Sequence, residues 1–93
     1  MVNYRTSTQI VADLLVATEQ SGQEGIQTTH LLTKGNLSHP RLVKFIENLT
    51  GAGLINKIEY DGKNTFVITP KGRNYLESYE KFSNFAGLFG LEL

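Results

Sequence analysis

Residues 33–55, TKGNLSHPRLVKFIENLTGAGLI, change character three times in one short run. A Lys34-Gly35-Asn36 break leads into a helix start, then an amphipathic run, then a Gly51-Ala52-Gly53 stop and a second apolar run. A break set this close to a helix start makes two successive elements meet at a sharp turn, which constrains the chain more than any other stretch. Ser38 fits the N-cap, and His39 and Pro40 fit the first turn, where proline forfeits no needed hydrogen bond. Leu37 can staple onto Leu42. At about 100° per residue, Leu42, Phe45, Ile46 and Leu49 turn inward, and Arg41, Lys44 and Asn48 fall together on the opposite face with Glu47 at its edge. Gly51 and Gly53 supply the stop.

On either side of this stretch the pattern is equally segmented. TSTQIVADLLVATEQSG predicts a first helix capped by Thr6, Ser7 or Thr8, with Ile10, Val11, Leu14, Leu15 and Ala17 forming a broad buried face and Gly22 closing it. GIQTTHLLTKGN predicts a helix of about two turns, capped by Thr28, burying Leu31 and Leu32 and ended by Gly35-Asn36. After the glycine stop, LINKIEY and NTFVIT read as strands around Asp61-Gly62-Lys63. A two-residue Asp-Gly loop would oppose Ile58 to Thr65. A three-residue loop, which puts Ile58 opposite Phe66 on one apolar face and Lys57 on the polar side, or a bulge, is the expectation.

Thr69-Pro70 then opens a fourth helix, with threonine at the cap and proline at the first helical position. Along it Tyr75, Tyr79, Phe82, Ala86 and Phe89 recur at steps of four and three, the spacing of a narrow two-helix seam. Leu76 lies off this line and can face the domain's own core. The expected organisation is a single domain over residues 1–93: a core at 6–69, a helix at 70–86 and an apolar tail at 87–93 that holds Leu88, Phe89, Leu91 and Leu93.

Composition narrows the function. A chain of 93 residues has room for one core. It has no cysteine, which removes disulfides and thiolate metal sites and makes a reducing cytoplasm the default location. The N-terminal MVNYRTSTQ lacks the apolar region of a signal peptide, and no apolar run approaches the ~20 residues of a membrane span. His30 and His39 are the only histidines, so no metal or other cofactor is expected. No glycine-rich phosphate loop, paired catalytic carboxylates or activated nucleophile can be assembled, so no enzyme is expected.

Charge is informative only when divided along the chain. Nine Lys plus Arg balance nine Asp plus Glu. Residues 30–75, however, hold Lys34, Arg41, Lys44, Lys57, Lys63, Lys71 and Arg73 against Glu47, Glu59 and Asp61, a net of +4, while the segments before and after each carry −2. The neutral total conceals a basic middle.

Three helices, the second and third joined by a sharp turn, followed by a β-hairpin, is the order of a winged helix-turn-helix domain: α+β, mainly helical, with the hairpin as wing. NLSHPRLVKFIENLTGAGLI, the hairpin and ITPKGRNYLESYEKF also resemble the small archaeal winged-helix proteins, over about residues 8–85. The most telling parts are Asn36-Leu37-Ser38, Gly53-Leu54-Ile55, Thr69, Lys71-Gly72 and Leu76. The resemblance implies a transcriptional regulator or chromatin-associated, nucleoid-bound protein that dimerises through the helix after the wing. FSNFAGLFGLEL departs from the long charged coiled coil such relatives can carry, being apolar and interrupted by Gly87 and Gly90.

The candidate partner is therefore double-stranded DNA. Arg41 and Asn48 have the chemistry to read guanine and adenine edges, and Lys44 to neutralise phosphate. Lys34, Asn36, Ser38 and His39 flank that helix at its N-terminal end, itself attractive to phosphate. Lys63 and Asn64 at the hairpin tip, with Lys57, are candidate wing contacts. Tyr75, Tyr79, Phe82, Ala86 and Phe89 are the candidate homodimer interface. Each has a plainer reading, as a solvated helix face, a turn chosen for its conformation, or a helix folded back on its own chain. The rival function is a winged-helix module that binds protein through its apolar C-terminal segment without touching DNA. A small-molecule effector at a dimer interface is a third, for which no residue nominates a ligand.

Overall fold

A computed structural model describes residues 6–90 of the chain. Helix α1 (Ser7–Gln20) is followed by a single 3₁₀ turn (Gly22–Glu24), α2 (Thr28–Gly35), α3 (His39–Gly51), a hairpin of β1 (Ile55–Tyr60) and β2 (Lys63–Ile68), and α4 (Pro70–Gly87). Expected elements and observed elements agree in type and order. Leu91 and Leu93 of the expected tail lie outside the described residues.

Local chemistry sets the helix ends. Of the three residues able to cap α1, Thr6 does so, because it alone has a glutamine three positions on. Thr6 Oγ1 accepts from the Gln9 amide at 3.1 Å and Gln9 Oε1 accepts from the Thr6 amide at 2.9 Å, a reciprocal capping box. For α2 the expected cap shifts by one: Gln27 occupies the N-cap and makes no side-chain capping bond, and Thr28 is already helical. Helix α2 ends with Asn36 in the left-handed region (φ 51°), its amide donating to the Thr33 carbonyl and that of Leu37 to the Leu32 carbonyl. This closure reverses the chain within two residues and delivers it to Ser38. Gly35 before it is buried because α2 lies close on α1; a Cβ there would come within 3.0 Å of the Leu14 side chain.

The hairpin corrects the expected register. Tyr60 pairs with Lys63 and Ile58 with Thr65, so the loop is the two residues Asp61-Gly62, both at positive φ (53° and 75°) as a type I′ turn requires. Lys57 consequently opposes Phe66, which the expected polar side did not allow, and it remains exposed. The reason lies outside the hairpin. Ile26 and Phe66 exchange both backbone hydrogen bonds at 2.9 Å, giving β2 a second neighbour. Thr65, on the other face, is buried and donates to the Glu24 carbonyl at 2.6 Å beneath Gly25. Thr65 and Phe66 are thus both buried, on opposite faces, and strict apolar alternation no longer sets the pairing.

One core joins these pieces. Leu14 and Leu15 of α1, Leu31 of α2, Leu42 of α3 and Ile55 of β1 are the innermost apolar side chains, with Leu49, Phe66 and Leu76 around them. The sequence features GAGLI and TPKG, far apart in the chain, meet at a single joint. Helix α3 closes with Gly53 at φ 77°, where the Leu54 amide donates to Leu49 and the Gly53 amide to Thr50. Thr69 then accepts from the Gly72 amide at 2.9 Å as the cap of α4, while its hydroxyl donates to the Gly53 carbonyl at 2.6 Å. The Lys71 ammonium donates to the Ala52 carbonyl at 2.7 Å. Gly72 packs so tightly that a Cβ would collide with the Leu54 carbonyl oxygen. The start of α4 is bolted to the end of α3, and the wing projects from between them.

Candidate nucleic-acid interface

Helix α3 begins at His39 with Ser38 in the N-cap, as expected, but the serine side chain makes no capping hydrogen bond. Its hydroxyl and the first-turn amides therefore stay open at an exposed helix start, where the helix dipole favours an anion. Leu42 and Leu49 are buried and Phe45 and Ile46 partly so, which fixes the inward line of the helix.

The structure brings Arg41, Lys44 and Asn48 together. All three are exposed and border one groove of about 390 Å³ with Ser7 and Val11 of α1 and Phe45 of α3. Among the described residues no ion pair or hydrogen bond engages their side chains. Measured from the inward line, however, Lys44 and Glu47 are the residues that point outward, within about 30° of the direct opposite, whereas Arg41 and Asn48 lie about 70–90° from it. Glu47 thus flanks the centre of the exposed face together with Lys44, and Arg41 and Asn48 lean towards α1. The helical angle alone contained this signal.

The other expected contact residues divide into separate places. Asn36, Ser38 and His39 are exposed at the α2–α3 turn. Lys63 and Asn64 are exposed at the wing tip, where Lys63 shares a groove of about 240 Å³ with Asp61, Tyr60, Glu24, Gln27 and His30. Gln27 and His30 line the α2 side of that groove; neither was among the expected contact residues, and His30, whose expected place was a partly buried helical position, is exposed. Tyr60 donates to the Glu24 carboxylate at 3.2 Å, and this bond and the carboxylate's charge hold the phenol above its usual pKa. Lys34 does not join the others: it borders a groove on another side, with Asp13, Val16, Ala17 and Gln20 of α1. Of the remaining cations in the basic middle, Lys71 caps α3 and Arg73 lies 4.0 Å from Glu19 in an exposed pair worth little.

The expected dimer seam is also redistributed. Leu76 faces the core as expected, while Tyr79 is partly buried against that core and Ala86 is buried. Tyr75 is exposed, and Phe82 (58%), Phe85 (59%), Leu88 (83%) and Phe89 (67%) form an uncovered apolar patch. Phe85, absent from the expected seam, packs against Phe89 with ring centroids 5.2 Å apart and ring planes tilted by 60°. The buried line of α4 runs through Gly72, Leu76 and Ala86. Phe82, Phe85 and Phe89 lie to one side of it, a displacement that a periodic seam cannot reveal without knowing where α1 sits.

Three helices with a sharp α2–α3 turn, an exposed third helix and a hairpin held at its root define a winged-helix domain. Residues 4–87 match the winged helix-turn-helix family, and the chain belongs to it. Among solved structures it is similar to Sso10a-2, a DNA-binding protein from Sulfolobus solfataricus, with a TM-score of 0.77 and 18% identity over 91% of this chain and 85% of that one. It is also similar to AdcR, a zinc-dependent MarR-family transcriptional regulator in its Zn(II)-bound state. That match has a TM-score of 0.59 and 14% identity over 96% of this chain and 60% of that one. At such identities the likeness is one of fold. No curated protein matches the chain. Among the described residues no three of His, Asp and Glu gather to hold a metal ion, and no helix is long and apolar enough to cross a membrane.

Proposed function

We propose that the protein binds double-stranded DNA as a homodimer and acts in the cytoplasm, at the nucleoid, as a transcriptional regulator or chromosome-organising protein. One observation carries the reading: the third helix of a winged helix-turn-helix domain exposes Arg41, Lys44 and Asn48 with no partner among the described residues. In the major groove Arg41 and Asn48 would meet base edges, Lys44 with Ser38 and His39 would meet phosphate, and Lys63, Asn64 and Lys57 would reach the neighbouring backbone. The exposed patch Phe82, Phe85 and Phe89 supports pairing of two α4 helices, which would set two recognition helices a fixed distance apart. Titrating labelled random-sequence duplex at two salt concentrations, with the mass in solution measured alongside, tests this. Salt-sensitive binding by a dimer is expected; a monomer that ignores duplex at low salt contradicts it.

The same apolar patch favours a second reading, a module that binds another protein through α4 and leaves DNA alone. Replacing Phe82 and Phe85 together with Ser separates the two. On the dimer reading the variant falls to monomer mass and its DNA affinity drops with it. If wild type is monomeric and binds no duplex, the module reading gains.

A further inference from the structure

Glu47 is exposed on the outward face of α3, flanking its centre with Lys44 one turn earlier, and no ion pair or hydrogen bond occupies its carboxylate among the described residues. A helix that approached DNA only for its phosphates would be weakened by an uncompensated carboxylate at that place, since phosphate repels it and burial against a groove floor strips its water. The cost is offset only where the floor presents a hydrogen-bond donor. In the major groove the exocyclic amine of cytosine is such a donor, with no acceptor beside it on the same base. The adenine amine stands next to an acceptor nitrogen that repels the second carboxylate oxygen.

Resting on the DNA-binding reading, we propose that Glu47 is a specificity-determining residue. It accepts from the cytosine amine at one position of each half-site and penalises sequences that lack cytosine there. The protein is then a site-selective regulator rather than a coat that covers DNA without regard to sequence.

Selection of sites from a randomised duplex library by wild type, Glu47→Ala and Glu47→Gln, followed by titration of the selected and random duplexes, tests the assignment. Wild type should select cytosine at one position per half-site and lose about fivefold or more in affinity when that base is changed. Glu47→Ala should lose this preference and bind random duplex more tightly than wild type, and Glu47→Gln should move the preference to adenine, whose amine and ring nitrogen match a carboxamide. Two results overturn it. If all three proteins bind duplex with the same base preferences, or Glu47→Ala binds random duplex more weakly, the role of Glu47 is refuted while DNA binding stands. If none binds any duplex at low salt, the DNA reading falls and this inference falls with it.

Discussion

The joint between α3 and α4 and the outer face of α3 share one helix, yet they treat polar groups in opposite ways. At the joint, Thr69 both accepts and donates, Lys71 caps a carbonyl, and Gly72 admits no side chain at all. On the outer face Arg41, Lys44, Glu47 and Asn48 engage nothing among the described residues. Polar residues that are internally satisfied build the fold; charged residues left unsatisfied on a rigid helix are available to a partner. Lysine illustrates the difference within one residue type, because Lys71 belongs to the first group and Lys44 to the second.

This contrast can be broken at either end. The largest effect should come from Gly72→Ala, whose added Cβ would collide with the Leu54 backbone and press on the Ile68 side chain; a loss of about 3 kcal/mol or more in urea unfolding is expected. Next, Arg41→Ala, Lys44→Ala and Lys63→Ala combined should lower affinity for duplex about a hundredfold, while the unfolding free energy stays within about 0.5 kcal/mol of wild type. Equal losses of stability and binding would show that the outer face is structural after all. Thr69→Ala removes a helix cap and a bond to Gly53 and should cost about 1–2 kcal/mol, lowering the melting temperature by about 4–8 °C per kcal/mol. The smallest effect belongs to Lys34→Ala, which should change duplex affinity less than twofold because Lys34 borders a different groove from the α3 residues; a tenfold loss would mean that DNA wraps further around α2 than proposed.

What the sequence conveyed follows the same division between local and distant causes. The Thr69 cap, the glycine closure at Gly53 and the Asn36 reversal depend on residues within one turn and were legible, while the cap of α1 was narrowed only to Thr6, Ser7 or Thr8. The strand register was not, because it depends on Glu24, Gly25 and Ile26, with the Thr65 bond spanning 41 residues. Apolar alternation within the hairpin pointed to a three-residue loop; the Asp61-Gly62 turn and the distant partners of β2 together overrode it. On α4, spacing alone grouped Tyr79 and Ala86 with the exposed aromatics and passed over Phe85, since which side of a helix is covered depends on where the rest of the chain packs. On α3 the individual residues were legible, but their ranking changed: Glu47 moved from the edge of the face to a place beside its centre, with Lys44.

The most direct test of the central claim, that the unsatisfied face of α3 is a DNA interface, is the salt dependence of duplex affinity for wild type and the Arg41, Lys44 and Lys63 triple alanine variant. Wild-type affinity should fall steeply as salt rises, and the variant should bind weakly with a slope shallower by about 0.9 for each phosphate contact removed. Equal affinities and equal slopes for the two proteins would contradict the account.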